Sequence, residues 1–361
     1  MSFSARLQRA REVMVGAGVD AMLLSVGADL PYFTGYQAPQ LERLTMAVIP
    51  ARGAATLVVP RLEAPRVEPH PEVFSIEPWD ETDNPVDLVA QLVQGQRKLA
   101  IGDKTWSVFL LELQHRLLQA TFIAAEPLTA TLRAIKDADE IDSLAAAGAA
   151  ADRVVERLRE TRFSGRTERD LATMVEAMIV EEGCDRAAGA IVASGPNGAS
   201  PHHEPSARVM DTGDQIVVDF GGVVDGYYSD TSRTFSIGRP PPDVVSAYAV
   251  LQVAQQAGVE AAQDGTPAQE VDRAARSVIA DGGYGDLFIH RTGHGIGLEV
   301  HEHPYLVEGN EEPLRLGAAF SVEPGIYQPG QWGLRIEDIV VLTDDGPRRL
   351  NESRRDLAVV V

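Results

Sequence analysis

Two aspartates in the C-terminal half stand where apolar runs meet glycine, a setting in which carboxylates could do chemistry. Asp219 ends the run Val217-Val218 and is followed closely by two glycines, and Asp230 comes eleven positions later. A turn at Gly226 between two strands would bring these carboxylates side by side. A single aspartate of this kind is ordinarily a turn or strand-end residue, so the pair indicates either two such residues or one shared site.

Two glutamates occur farther along in equally apolar surroundings. Glu323 follows the run Ala-Ala-Phe-Ser-Val and precedes Pro-Gly, and Glu337 lies within Leu-Arg-Ile-Glu-Asp-Ile-Val. Burying a carboxylate is unfavourable unless it is paired or binds a metal. In an alternating strand Arg335 shares the face of Glu337, so a salt bridge between these two residues is the alternative to metal binding.

Two histidines lie in a glycine-rich segment between the acidic positions. His294 stands between Gly293 and Gly295, and His301 follows seven positions later. The glycine spacing does not fit the dinucleotide fingerprint, and no phosphate-cradling lysine is present. One histidine would usually be structural, whereas two in such a segment favour a site.

A further histidine pair, His202-His203, follows the loop signal Gly-Pro-Asn-Gly upstream of Asp219. A histidine in a loop is ordinarily a surface residue. Held over a metal site, it could instead donate to a developing oxyanion or to a leaving amine.

Four carboxylates and one imidazole together form an oxygen-rich ligand set: Asp219, Asp230, His294, Glu323 and Glu337. Such a set suits two divalent cations. Mn²⁺ is the first choice, and Co²⁺ and Zn²⁺ are the alternatives. Two ions about 3.5–4 Å apart can activate a water and clamp a carbonyl oxygen. Burying four carboxylates without cations would be very unfavourable, which is the physical reason to treat them as one site.

The composition limits the partners of the chain. Its 361 residues carry 53 acidic and 32 basic side chains, a net charge of −21, which argues against nucleic acid and against anionic membrane surfaces. Cys184 is the single cysteine, so an intrachain disulfide is excluded, and we expect it to be a small buried residue. The N-terminus lacks an apolar signal core, and we expect a cytoplasmic protein.

The elements that must position these residues fall into two groups. Short strands alternate with helices up to about residue 118, which predicts an α/β layer structure. After a join near residues 127–135, a long alanine-rich helix over 137–160 and a second over 167–182 precede a β-rich region with two more helices. We therefore predict two domains, 1–130 and 131–361, the second being α+β with a largely antiparallel sheet.

Five motifs of the second domain resemble the pita-bread metallopeptidase family: Val-Asp-Phe-Gly-Gly, Tyr-Ser-Asp-Thr-Ser-Arg-Thr, Gly-His-Gly-Ile-Gly-Leu-Glu-Val-His-Glu, Val-Glu-Pro-Gly-Ile-Tyr and Arg-Ile-Glu-Asp. They stand in the order found in that family, which includes Xaa-Pro aminopeptidase, Xaa-Pro dipeptidase (prolidase) and methionine aminopeptidase. The resemblance implies a curved pita-bread sheet. It also implies that Asp219 binds one metal, that His294 and Glu323 bind the other, and that Asp230 and Glu337 bridge both.

The same resemblance implies roles around the metals. Glu323 would also serve as general base, His202 would contact the substrate near the scissile bond, and His301 would help to hold the carbonyl oxygen. Arg335 resembles the arginine that orients a carboxylate ligand.

The N-terminal segment resembles a second family domain. Its Asp-Leu-Pro-Tyr-Phe-Thr-Gly-Tyr string is similar to the Tyr-Leu-Thr-Gly-Phe string of the creatinase/prolidase N-terminal domain, which methionine aminopeptidases usually lack. In the family this domain packs against a partner subunit, which implies a homodimer.

The expected function is therefore metal-dependent hydrolysis of Xaa-Pro bonds in dipeptides or short peptides, by either an aminopeptidase or a dipeptidase. Two alternatives stay open. One is an inactive pita-bread binding protein, and the other is a metal-free, creatinase-type C–N hydrolase. The complete ligand set counts against both.

Overall fold

The helices and strands of the chain form two units. The computed structural model describes all 361 residues, with Met1–Arg133 in the first unit and Ala134–Val361 in the second. No helix in the structure combines the length and the apolar character that a membrane crossing requires.

The first unit contains one mixed sheet covered by helices. Its helices are α1 (Phe3–Ala17), α2 (Asp29–Thr34), α3 (Pro85–Leu92), α4 (Ser107–Arg116) and α5 (Glu126–Arg133), and its strands are β1 (Ala21–Leu24), β2 (Met46–Pro50), β3 (Ala55–Pro60), β4 (Phe74–Trp79), β5 (Lys98–Ile101) and β6 (Thr121–Ala124). The strand order is β4-β3-β2-β1-β5-β6, with β1, β5 and β6 mutually parallel. Side chains of α3 and α4 pack on the sheet in one core, which confirms the predicted α/β layers.

The second unit contains four long helices and twelve strands. The helices are α6 (Ala138–Arg159), α7 (Glu168–Glu181), α8 (Pro242–Ala261) and α9 (Ala268–Asp281). The strands are β7 (Arg186–Ser194), β8 (Gln215–Val224), β9 (Tyr227–Tyr228), β10 (Thr231–Ile237), β11 (Gly293–Gly295), β12 (Glu302–Leu306), β13 (Ala319–Val322), β14 (Gly325–Gln328), β15 (Trp332–Arg335), β16 (Asp338–Thr343), β17 (Gly346–Arg349) and β18 (Ala358–Val360).

These strands form two larger sheets and a ribbon. The first has the order β18-β10-β8-β7 with β9 attached to β8, the second has the order β12-β11-β13-β16-β17, and β14 pairs with β15. Every pairing is antiparallel except β10 with β18, which confirms the predicted α+β unit. Residues of α6 and α7 share a core with the first sheet, while α8 and α9 pack on the second sheet and the ribbon.

Local signals fix the starts of the two helices that open this unit. Asp137 and Glu140 form a reciprocal capping box at α6, and Thr167 and Asp170 form another at α7. Each box satisfies two backbone N–H groups that have no partner within the helix. Both predicted helices are confirmed.

Three local features differ from the sequence expectation. The Gly-Pro-Asn-Gly stretch forms a 3-10 helix, Gly195–Ala199, instead of an open loop. Residues 126–133, near the predicted join, form α5. Glu337 is not inside a strand, because β15 ends at Arg335 and β16 begins at Asp338 in a different sheet. The glutamate therefore stands at a bend between two sheets.

Candidate metal centre

All the side chains that the sequence singles out for chemistry line one cavity of the second unit. The cavity has a volume of about 720 Å³. Its lining includes the five predicted ligands together with His202, His301 and Arg335. It also includes His290 and Arg291, which the sequence did not single out.

Three carboxylates form one end of the centre. Asp219 lies on β8 directly opposite Ser232 of β10, and Asp230 immediately precedes β10. The backbone N–H of Glu337 donates to the carbonyl of Ser232 at 3.1 Å, which ties the bend between β15 and β16 to β10. As a result, oxygen atoms of Asp219, Asp230 and Glu337 lie within 4.8 Å of one another.

An imidazole and two glutamates form the other end. Ligand atoms of His294, Glu323 and Glu337 also lie within 4.8 Å of one another. His294 is 2 % exposed, and its Nδ1–H donates to the carbonyl of Gly295 at 3.1 Å, which directs Nε2 into the centre. That Nε2 lies 3.1 Å from Glu323 Oε1 and 3.8 Å from Asp230 Oδ2. Glu337 therefore belongs to both ends.

The charges of these groups are not balanced by the protein itself. Burial raises the pKa of Asp230 well above its usual range, and the neighbouring charges of Asp219 and Glu323 raise it further. Burial and the charge of Asp230 do the same for the pKa of Glu337. In addition, Glu337 Oε1 is buried without a hydrogen-bond partner. Divalent cations would balance the negative charges of the carboxylates and would give Glu337 Oε1 a partner. The residues therefore fit a pair of metal ions.

Arg335 is the one cation directly bound to these carboxylates. Its Nη2 donates to Asp219 Oδ2 at 2.5 Å, and its Nε donates to Ser232 Oγ at 2.8 Å. Ser232 Oγ in turn donates to Glu337 Oε2 at 2.8 Å. The alternative of a direct Arg335–Glu337 salt bridge is wrong, because the guanidinium pairs with Asp219 and reaches Glu337 only through Ser232.

Tyr327 and His290 hold Arg335 from the other side. Arg335 Nη1 donates to Tyr327 Oη at 3.1 Å, and this hydroxyl lies 2.9 Å from His290 Nε2. His290 Nδ1 lies 2.7 Å from the carbonyl of Arg291 and donates to it, so Nε2 accepts from Tyr327. Burial lowers the pKa of His290 and raises that of Tyr327 to about 12, so both are neutral at neutral pH. The position of His290 four residues before His294 was a weak signal for this role.

His202 and His301 lie at the exposed side of the cavity. The rings of His301 and His294 are 4.2 Å apart in a T-shaped arrangement. Burial, and then the neighbouring His294, lower the pKa of His301 to about 4, so its imidazole is neutral at neutral pH. His202 is exposed and lines the cavity, whereas Nε2 of the adjacent His203 lies 2.9 Å from Glu168 Oε2.

The arrangement is suited to hydrolysis at a polarised carbonyl. One carboxylate of the centre has a low pKa: burial opposes the ionisation of Glu323, yet the hydrogen bond and charge of His294 lower its pKa to about 2. The carboxylate of Glu323, the imidazoles of His202 and His301 and the cation-binding cluster thus face one cavity. These groups can accept a proton, donate hydrogen bonds and bind divalent cations.

Known proteins share both units. Residues 142–344 match metallopeptidase family M24, and residues 6–135 match the creatinase/prolidase N-terminal domain. The chain is 44 % identical to "Probable dipeptidase PepE" of Mycobacterium tuberculosis over 99 % of its length and 96 % of that protein. It is 33 % identical to the Xaa-Pro dipeptidase of Lactobacillus helveticus, with 98 % of each chain covered.

A solved structure agrees with these matches. The crystal structure of dipeptidase PepE from Mycobacterium ulcerans superposes with a TM-score of 0.94 at 45 % identity, covering 99 % of this chain and 98 % of that one. The likeness extends over both units, and the cavity with its carboxylates and imidazoles lies within the region that matches the peptidase family. The chain therefore belongs to metallopeptidase family M24, and it is a peptidase.

Proposed function

We propose that the chain is an Xaa-Pro dipeptidase that uses two divalent cations. Asp219, Asp230 and Glu337 would hold one, and Asp230, His294, Glu323 and Glu337 the other, with Mn²⁺ as the first choice. The observation that carries the proposal is the convergence of these five side chains, with a buried Glu337 oxygen that has no partner. When bound, the cations lower the pKa of a water and polarise the scissile carbonyl.

The side chains around the cations would do the remaining work. Glu323 lies beside His294 in the cavity and is placed to accept the proton of the attacking water. The imidazoles of His202 and His301 can donate hydrogen bonds to the carbonyl oxygen and to the departing proline nitrogen. Arg335 keeps Asp219 in its orientation through the 2.5 Å contact.

Arg291 supports a dipeptide substrate over a longer peptide. Its guanidinium lies 4.5 Å from the ring centroid of Tyr305 and forms no ion pair, although the chain has a net charge of −21. The other arginine of the cavity, Arg335, is engaged with Asp219. A guanidinium fixed on an aromatic ring and left without an acidic partner suits the free carboxylate of a C-terminal proline. The relative from Lactobacillus helveticus is itself named an Xaa-Pro dipeptidase.

A substrate pair tests this assignment. We expect the Arg291→Met variant to cleave Xaa-Pro dipeptides with kcat/KM roughly 10- to 100-fold lower, because a charge-assisted contact is lost. Cleavage of the matching Xaa-Pro amides, which lack the carboxylate, should change little. Arg291→Lys is the control and should lose less on the dipeptides. Equal losses on both substrates, or faster cleavage of longer Xaa-Pro peptides by the parent enzyme, would contradict the dipeptidase assignment.

The response to metal also tests the proposal. Turnover of a small amidino substrate that survives a chelator would favour a creatinase-type C–N hydrolase. Metal binding without turnover on any Xaa-Pro substrate would contradict the Xaa-Pro assignment. A homodimer and a cytoplasmic location stay predictions.

A further inference from the structure

Glu168 is a fully buried carboxylate outside the cavity lining. It is the first residue of α7, it is 0 % exposed, and no arginine or lysine contacts it directly. Its oxygens accept hydrogen bonds from Ser194 N and Oγ at 2.8 and 2.6 Å and from Ser206 N and Oγ at 3.1 and 2.6 Å. Asn197 Nδ2 at 3.0 Å and His203 Nε2 at 2.9 Å complete the set.

All these donors belong to one segment, residues 194–206, which leaves β7 and carries His202. Ser194 stands at its start, Asn197 in its 3-10 helix, His203 near its middle and Ser206 at its end. A single carboxylate therefore closes the segment on itself. These hydrogen bonds lower the pKa of Glu168 to about 2 in spite of its burial, and the N-terminus of α7 also favours a negative charge there.

His202 and His203 are adjacent residues at a turn in which the backbone N–H of His203 donates to the carbonyl of Ser200 at 3.2 Å. Both histidines line the metal cavity, and Nε2 of His203 also lies 2.9 Å from Glu168 Oε2. Because the two residues share one short stretch of backbone, anchoring His203 limits the positions that His202 can take. On its other side the segment rests on the metal-centre scaffold, where Arg335 Nη1 donates to the carbonyl of Pro201 at 3.1 Å.

We propose that Glu168 is a positioning residue for peptide hydrolysis: its carboxylate folds residues 194–206 so that His202 faces the substrate beside the metals. The inference rests on the proposed function, because it uses the assignment of His202 to the substrate. A glutamine at this position would turn an NH₂ group toward donors, since the surrounding backbone N–H, amide and hydroxyl groups all need acceptors. The effect of Glu168→Gln on hydrolysis should depend on the presence of the His202 side chain.

A double-mutant cycle on the full-length, Mn²⁺-loaded chain tests this dependence. We expect Glu168→Gln to lower kcat/KM on an Xaa-Pro dipeptide by roughly 10- to 100-fold with its bound Mn²⁺ retained. In the His202→Ala background the same substitution should change kcat/KM by less than about twofold, because the side chain that it positions is already missing. Equal losses in both backgrounds, or a loss of bound Mn²⁺, would overturn the positioning role.

A conservative pair covers the case in which Glu168→Gln does not fold. His203→Gln keeps a donor for Glu168 and should keep most of the activity, whereas His203→Leu removes the donor and should lose activity that depends on His202. Identical losses for the two variants would overturn the proposal.

Hydrogen exchange of residues 194–206 gives a readout without turnover. Faster exchange confined to this segment in Glu168→Gln supports the positioning role, and unchanged exchange contradicts it. A parent enzyme that is inactive on every Xaa-Pro substrate would instead contradict the proposed function, and the exchange result would still decide whether Glu168 holds the segment.

Discussion

At the scale of single residues, Glu337 connects the two ends of the metal centre. Its carboxylate is grouped with Asp219 and Asp230 on one side and with His294 and Glu323 on the other. One of its oxygens accepts from Ser232 Oγ, and the other has no partner in the protein. A carboxylate held in this way suits a position between two cations, where each oxygen has a different neighbour.

Asp230 should be essential for metal binding because it lies within reach of both ends. We expect Asp230→Asn to reduce the bound Mn²⁺ from two equivalents to one or none and to abolish activity, since the amide removes a negative charge that offsets the cations. Elemental analysis of dialysed protein measures this stoichiometry. Asp225 is an acidic residue at the exposed turn between β8 and β9, outside the cavity, and Asp225→Asn is the control that should keep both ions. Two retained equivalents in Asp230→Asn would contradict the assignment.

Among the elements, each histidine at the exposed side of the cavity adjoins a residue that contacts a buried charged side chain. His203, next to His202, contacts Glu168. Glu302, next to His301, forms an ion pair of 2.6 Å with Lys136, whose side chain is only 1 % exposed. These contacts with buried side chains hold the short segments that carry the two imidazoles. A surface loop without such contacts would be more mobile.

Close packing of two glycines fixes the His202 segment against β15. A Cβ atom on Gly333 would lie 1.7 Å from the carbonyl oxygen of Gly198. Because that neighbour is backbone, we expect Gly333→Ala to lower the free energy of unfolding by about 1–3 kcal/mol and to reduce activity through a displaced segment. Gly16→Ala in α1, where a Cβ meets nothing within 4 Å, is the control and should be neutral or slightly stabilising. Denaturant unfolding measures both, and a Gly333→Ala variant as stable as the control would contradict the packing argument.

At the scale of the whole molecule, the groups of the centre all come from the second unit. Asp219 lies on β8 and Asp230 immediately precedes β10, while β11, the end of β13 and the bend before β16 carry the other three candidate ligands. Repulsion among these carboxylates opposes folding when no cation is present, so metal binding and the stability of this unit should be coupled.

Chelation should therefore destabilise the protein measurably. We expect millimolar Mn²⁺ to raise the melting temperature of the chelated protein by about 10–20 °C. A ligand at 100 times its Kd contributes about 2.7 kcal/mol at each of the two sites, and 1 kcal/mol shifts the melting temperature of a unit of this size by about 2–4 °C. Differential scanning calorimetry at fixed pH and protein concentration measures the shift. The Asp230→Asn variant should show a smaller shift. A melting temperature that does not respond to Mn²⁺ would contradict the coupling.

The helix starts, the strand pairing of the second unit and the candidate ligands could be predicted from the sequence. The capping residues Asp137 and Thr167 start their helices through contacts with residues three positions away, and such local contacts are readable from spacing. Short apolar segments separated by glycines indicated an antiparallel sheet in the second unit. Isolated carboxylates in or beside those segments indicated candidate ligands. The two-unit fold of the family followed from its motifs.

The contacts that orient those residues depend on the packing of distant parts of the chain. Ser232 reaches Glu337 across 105 positions of the chain, and Arg335 reaches Asp219 across 116, so neither contact has a signature in local spacing. The same holds for Glu168, which looks like an ordinary charged residue in the first turn of a helix until the segment from Ser194 to Ser206 folds over it. Periodicity specifies which face of an element is buried, but the partner of a buried charge depends on how distant sheets and helices pack against each other.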